Sequence, residues 1–354
     1  MTFNRPRPEA GMSADVRLTQ LDGKLPNLAL MRLSAFHKAQ GHRVHFYRTP
    51  YRQLGEPDYA AVYGSAVFAF SAERVERFRR EFPEAIIGGT GSGDPITVEA
   101  IVGDFAGLDY EPWADFTASL GFTQRGCRFA CGFCVVPGKE GKPKSAATIA
   151  DIWRGEPYPR HLHLLDNDFF GQPKAEWKAR LAEVRDGAFK VCFNQGINVR
   201  VITDEIAAEL ASVDYRDDSF KTRRIYTAWD SLGDEALFMR GVDRLERAGV
   251  NPSNLMVYML VGYDPAETWA TIFRRFDGMV ARRIRPYPMV YGDRTRTVPI
   301  GGHNGAIGAK RLMDFQRWAN TGLYRRGVAF SDYNNSTRHD PLFKQQDDLF
   351  GEAA

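Results

Sequence analysis

The chain has 354 residues, 44% apolar and 26% charged, which is ordinary globular usage. That length and balance exclude a single small domain and bulk disorder, and predict two or three packed units. Net charge is +3, from 47 Lys/Arg against 44 Asp/Glu, and by itself names no partner. No apolar run approaches the ~18 residues of a membrane helix, and the opening residues carry charge and proline with no apolar signal core. A cytoplasmic protein with no membrane partner is expected.

In chain order, Asp15–Leu21 alternates as a strand, and Pro26 with Asn27 opens a helix that runs to Gln40 and stops at Gly41. Arg43–Tyr47 and Tyr59–Phe70 read as strands, Ser71–Phe82 as a polar helix and Ala85–Gly89 as a fourth strand. This order predicts a small Rossmann-like βαβ layer with a parallel sheet over residues 1–110.

Beyond residue 115 six strands are expected: Phe116–Phe122, His161–Leu165, Lys190–Asn194, Arg224–Ala228, Leu255–Val261 and Pro288–Tyr291. The helices between them are Ala147–Trp153, Lys174–Arg185, Asp204–Ser212, Asp234–Ala248 and Ala266–Ala281. The fold class is therefore α/β, with a partial (β/α)6 TIM-like barrel over 111–296 whose reactive residues gather at C-terminal strand ends. Thr297–Gly308 is a glycine-rich loop, Ala309–Thr321 a helix and the last twenty residues frayed, which makes 297–354 a C-terminal loop and helical extension.

Four cysteines are too few for a disulfide scaffold, and three of them, Cys127, Cys131 and Cys134, fall within eight positions as C-x3-C-x2-C. The motif directly follows the first barrel strand. Three thiolates on one tight loop can ligate three irons of a [4Fe-4S] cube, leaving one iron open to a small chelating molecule. A zinc site would need a fourth ligand from Cys192, His161 or His163, all distant in sequence, and a ferredoxin-type cluster would need a fourth nearby cysteine. Cys192, set in Val-Cys-Phe, reads as a small buried residue.

With Phe133 just before the third cysteine, this segment resembles the radical S-adenosylmethionine (radical SAM) superfamily over roughly residues 115–295. The resemblance implies a cluster that reduces bound SAM, releasing methionine and a 5'-deoxyadenosyl radical that abstracts hydrogen from a substrate. It also implies an electron donor such as flavodoxin or ferredoxin. The protein would bind, orient and exclude water. By the same resemblance, Asp166, Asn167 and Asp168 stand where the superfamily holds the amino group of SAM. Asn194, Gln195, Asn198 and Arg200 suit its ribose and carboxylate, Asp230 and Ser231 a further contact, and Gly262 the adenine. Each of these stretches also reads as an ordinary loop, turn or cap.

The run from Asn27 to Val44 resembles the cobalamin-binding-type domain that precedes the barrel in one radical SAM branch. The signature D-x-H-x-x-G is absent and the layer is short, so cobalamin stands as a secondary possibility. Ile86–Gly91 and Cys134–Gly141 resemble a group of radical SAM proteins from bacteria and phages, which supplies no substrate.

From Thr271 to Phe330 there are 12 Lys/Arg against 3 Asp, a local +9 that leaves the remainder at −6. The cations are Arg274, Arg275, Arg282, Arg283, Arg285, Arg294, Arg296, Lys310, Arg311, Arg317, Arg325 and Arg326, interleaved with Tyr287, Tyr291, Trp318 and Tyr324. Arginine among aromatics suits RNA or a nucleotide; unpatterned surface charge is the competing reading. Two functions stay open: a radical SAM enzyme, or an iron-sulfur or zinc-stapled nucleic-acid-binding protein without turnover.

Overall fold

The computed structural model describes residues 14–292, 298 and 312–333. Contacts divide the chain between Thr117 and Ala118 into two units. In the first, short apolar segments form β1 (Asp15–Gln20), β2 (Arg43–Tyr47), β3 (Ala61–Ser65) and β4 (Ile86–Gly88), all parallel in the order β2-β1-β3-β4. Helices α1 (Leu28–Ala39), α2 (Ala72–Glu81) and α3 (Glu99–Val102) connect or follow them. Asn27 caps α1, its Oδ1 accepting from the Ala29 and Leu30 amides at 3.1 and 3.2 Å. β3 packs tightly on α2, since a Cβ on Gly64 would lie 2.7 Å from the Phe78 ring.

β3 is much shorter than the expected Tyr59–Phe70. Beyond Ser65 the amides leave the ladder: Val67 and Phe68 donate to the Asp22 carboxylate at 2.9 Å, and the Ala66 carbonyl accepts from Gly91 at 2.9 Å. Phe68 and Phe70 are left exposed and stacked, with ring centroids 5.0 Å apart.

The second unit begins with β5 (Ser119–Gly121) and the antiparallel pair β6 (Gln124–Arg125) and β7 (Lys144–Ser145), with α4 (Val136–Glu140) between the members of the pair. It continues with α5 (Ile149–Ile152), β8 (His161–Leu164), α6 (Lys174–Asp186), β9 (Lys190–Phe193), α7 (Asp204–Ala211), β10 (Asp214–Tyr215) and β11 (Ile225–Ala228). The rest comprises α8 (Glu235–Arg247), β12 (Leu255–Val261), α9 (Trp269–Ala281), β13 (Arg285–Val290) and α10 (Leu312–Asn320). The strands form two parallel sheets, β10-β9-β8-β5 and β11-β12-β13. A main-chain bond from Ile197 N to Tyr226 O (2.8 Å) ties the segment after β9 to β11. The molecule is thus mixed α/β with parallel sheets.

Along β12 the pleat separates two environments. Val257, Met259 and Val261 are buried in the main core, whereas Met256, Tyr258 and Leu260 are half-buried on the opposite face. Tyr258 lies beside Tyr226 and Tyr287 there, at 6.0 and 5.8 Å between ring centroids. The last strand starts at Arg285, earlier than expected, and carries Pro286 and Pro288, which an edge position tolerates.

α10 belongs to the same core, with Phe315 and Trp318 packed on Trp269, Phe273 and Phe276 of α9. Each such buried aromatic contributes about 1.5–3 kcal/mol of burial. The expected loop 297–308, except Val298, lies outside the described residues, as do Arg294, Arg296, Lys310 and Arg311. Among the described residues no helix is long and apolar enough to cross a membrane.

Candidate metal centre

The cysteine loop leaves β6 through Gly126, whose φ of +79° and close approach to Gly141 and Lys142 exclude a side chain: an added Cβ would collide with both carbonyls. The Cys127 amide donates to Gly141 O at 3.1 Å, so the loop is pinned at its base beside the β6–β7 ladder. Within it, Cys134 N donates to Cys131 O (2.9 Å) in a tight turn, and Phe129 N donates to Cys127 Sγ (3.5 Å). Cys127 and Cys131 are half-buried and Cys134 is exposed. Burial pushes the Cys127 thiol up, and Asp168, Cys134 and Cys131 push the same way by repulsion.

Asp166, Asn167 and Asp168, beyond the end of β8, bond the segments that frame this loop, and Asp168 bonds the loop itself. Asp166, 3% exposed, accepts from Thr123 N (2.7 Å), the Thr123 hydroxyl and Gln124 N (3.2 Å). Burial raises its carboxyl to about 7 despite those donors. Asn167 donates to Glu140 Oε2 at 2.7 Å, and the same oxygen accepts from Arg125 Nε at 3.2 Å and Gly126 N at 3.3 Å. Asp168 takes Arg128 in a fork, Nε–Oδ2 2.7 Å and Nη2–Oδ1 3.0 Å, while its own amide donates to Gln124 Oε1 (2.9 Å). The acidic-amide stretch therefore has protein partners on every side chain.

Two further strand ends meet the loop. Arg200, bonded to Asn198 Oδ1 (3.1 Å) and Asp234 Oδ2 (2.8 Å), sets its guanidinium 4.8 Å from the centre of the Phe129 ring. At the end of β12, Tyr263 lies edge-on to Phe133 at 5.3 Å and over Gly132, where an added Cβ would collide with its hydroxyl. Gly262 turns there at φ +81°, and its amide donates to Glu267 Oε2 at 2.6 Å.

The remaining expected residues have other surroundings. Asn194 Oδ1 pairs with His163 Nδ1 (2.9 Å), Gln195 is exposed, and Ser231 caps a turn by accepting from Gly233 N at 3.2 Å. Asp230 accepts from Leu260 N (3.0 Å), and burial holds its carboxyl above the usual range. Cys192 is fully buried opposite His163, its thiol pushed far up by burial.

Sequence reasoning missed Arg275, which it placed in the basic stretch. The side chain is buried, bonds the carbonyls of Trp229, Asp230 and Leu260 at 3.0 Å each, and pairs with Glu267. It ties the ends of β11 and β12 together below Gly262. Its place within the apolar stripe Ile272, Phe276, Met279 was the available signal.

The donor set is soft and sulfur-only. Among the described residues no group of three or more His, Cys, Asp or Glu side chains is gathered tightly enough to hold a single metal ion. The thiols are nevertheless near enough for Cys131 and Cys134 to act on Cys127.

No family model matches the chain, and no curated protein matches it. Among solved structures it is similar to OxsB, a cobalamin-dependent S-adenosylmethionine radical enzyme in its apo form. Identity is 13% and the TM-score 0.47, over 89% of this chain and 56% of that one, so the chain spans little more than half of that structure's length.

Proposed function

We propose that the chain is a radical SAM enzyme whose Cys127, Cys131 and Cys134 hold a [4Fe-4S] cluster. The observation that carries this reading is the C-x3-C-x2-C loop, braced from the end of the next parallel strand by Asp166, Asn167 and Asp168. When bound, such a cluster supplies the electron for reductive cleavage of SAM. Six strands of the two sheets, β5, β8, β9, β11, β12 and β13, would make a partial (β/α)6 barrel, with the first unit as a Rossmann-like layer.

The chain's own contribution is positional. The Asp168–Arg128 fork and the Glu140 junction hold the loop at its base, and Phe129 and Phe133 pack at its flanks against Arg200 and Tyr263. Amide N–H groups aimed at sulfur, as from Phe129 to Cys127, stabilise the thiolate form that a metal needs. In this reading Arg200 and the exposed Gln195 are the polar groups at hand for the carboxylate and hydroxyls of SAM, since the carboxylates of Asp166 and Asp168 face protein.

The test is anaerobic reconstitution with iron and sulfide, followed by reduction in the presence of SAM. Brown protein that releases 5'-deoxyadenosine supports the proposal. Colourless protein that retains zinc instead supports a stapled binding protein without turnover.

A further inference from the structure

At the opposite, N-terminal edge of β11-β12-β13, three neighbouring strands deliver polar residues to one hollow. Arg224 precedes β11, Ser253 lies on the turn entering β12, and Arg283 precedes β13; Tyr324 and Arg325 come from the turn after α10. With Val280 and Ile284 they line an open cavity of about 330 Å³. That volume is at the small end of ligand pockets, which run from about 300 to 1,000 Å³.

The basic stretch divides sharply here. Arg274 is paired with Glu235, Arg282 with Asp243 and Glu246, and Arg275 is buried with Glu267. Around the cavity the described residues put no carboxylate within ion-pair distance of Arg224, Arg283 or Arg325. Arg224 and Arg325 bond neutral oxygens: Arg224 donates to Ser253 O (3.0 Å) and Arg325 to the Tyr324 hydroxyl (3.0 Å). Asp217 acts on Arg224 only at a distance, and Arg325 opposes it. Burial depresses Arg285 alongside, and Arg224 and Arg325 add to it. Like charges that repel one another without an anion are stable together with one.

The backbone adds a second observation. Arg283 ends α9 at φ +60°, the left-handed position that glycine or asparagine usually fills. An arginine there carries a conformational cost that glycine would not.

We propose that this cavity binds the phosphate group of a small phosphorylated ligand of pyrophosphate to nucleotide size, gripped by Arg224, Arg283 and Arg325. Guanidinium forks match phosphate oxygens in pairs, and the Tyr324 hydroxyl, which accepts from Arg325, can add a donor. The small volume of the hollow favours a small ligand over an RNA backbone, which calls for a longer groove. The site shares no residue with the cysteine loop, so it stands or falls separately from the cluster.

The experiment is calorimetric titration of the full chain at low salt with inorganic phosphate, pyrophosphate and ADP, and with mixed tRNA. Pyrophosphate or ADP should bind, and Arg325→Gln, at an exposed position, should weaken it by about tenfold or more. Arg283→Gly should lower affinity comparably while raising the unfolding temperature, because it removes both a cation and the strain. Arg274→Gln should change neither. Absence of binding by all three small probes, affinity unchanged in Arg325→Gln and Arg283→Gly, or binding of tRNA alone would overturn the proposal.

Discussion

Arg128 and Asp168 face each other across a bidentate ion pair, with the arginine one residue after the first cysteine and the aspartate four residues beyond the end of β8. Asp168 is almost fully enclosed, at 2% side-chain exposure, whereas Arg128 is 36% exposed. The pair anchors a loop to a sheet, and its loss on the buried side is the more costly.

A double-mutant cycle measures that anchor. Arg128→Ala, Asp168→Ala and the double variant should show a coupling of about 1–2 kcal/mol in urea unfolding, below the ~1.5–3 kcal/mol of fully buried charged bonds because Arg128 is screened. Additive single effects would remove the pair as an anchor.

Asp166 should respond to pH in a defined direction. Its folded-state value of about 7 lies above the unfolded value of about 3.9, so its stabilising contribution is complete below the latter and is lost as pH rises towards the former. Asp166→Asn keeps an acceptor for the Thr123 and Gln124 amides and should flatten this dependence between pH 4 and pH 7, roughly the interval between those values. Asp166→Ala leaves both amides unpaired and should cost about 1–3 kcal/mol per amide at any pH. Urea midpoints at several pH values for the three proteins decide it, and parallel pH curves for wild type and the Asn variant would contradict the assignment.

Arg275 and Glu267 form a buried pair whose members are unequal. Either alone changed to Leu should cost about 3–5 kcal/mol, as for other broken buried pairs. Arg275→Leu should be the worse, since it also strands the carbonyls of Trp229, Asp230 and Leu260. Equal losses in chemical denaturation would show that those three bonds contribute no more than the Gly262 bond that Glu267→Leu loses.

Much of the second unit was legible because its strands are short apolar runs bounded by turn residues. Leu255–Val261 and Lys190–Phe193 fall within a residue of their expected limits. The cysteine loop was visible from spacing alone. What brackets it was not: β6 and β7 have two residues each, too few to carry a period. The direction in which Asp166 and Asp168 point was likewise hidden, because their partners Thr123 and Arg128 lie about 40 residues upstream. Net charge also misled over Arg275, whose burial depends on carbonyls from two strands and a glutamate eight residues away.

The most direct test of the central claim is iron content after anaerobic reconstitution of wild type and the four single Cys→Ala variants. Wild type should retain about four irons per chain, Cys127→Ala, Cys131→Ala and Cys134→Ala should each lose them, and Cys192→Ala should keep them. Retention of iron in a loop variant together with its loss in Cys192→Ala would contradict the account.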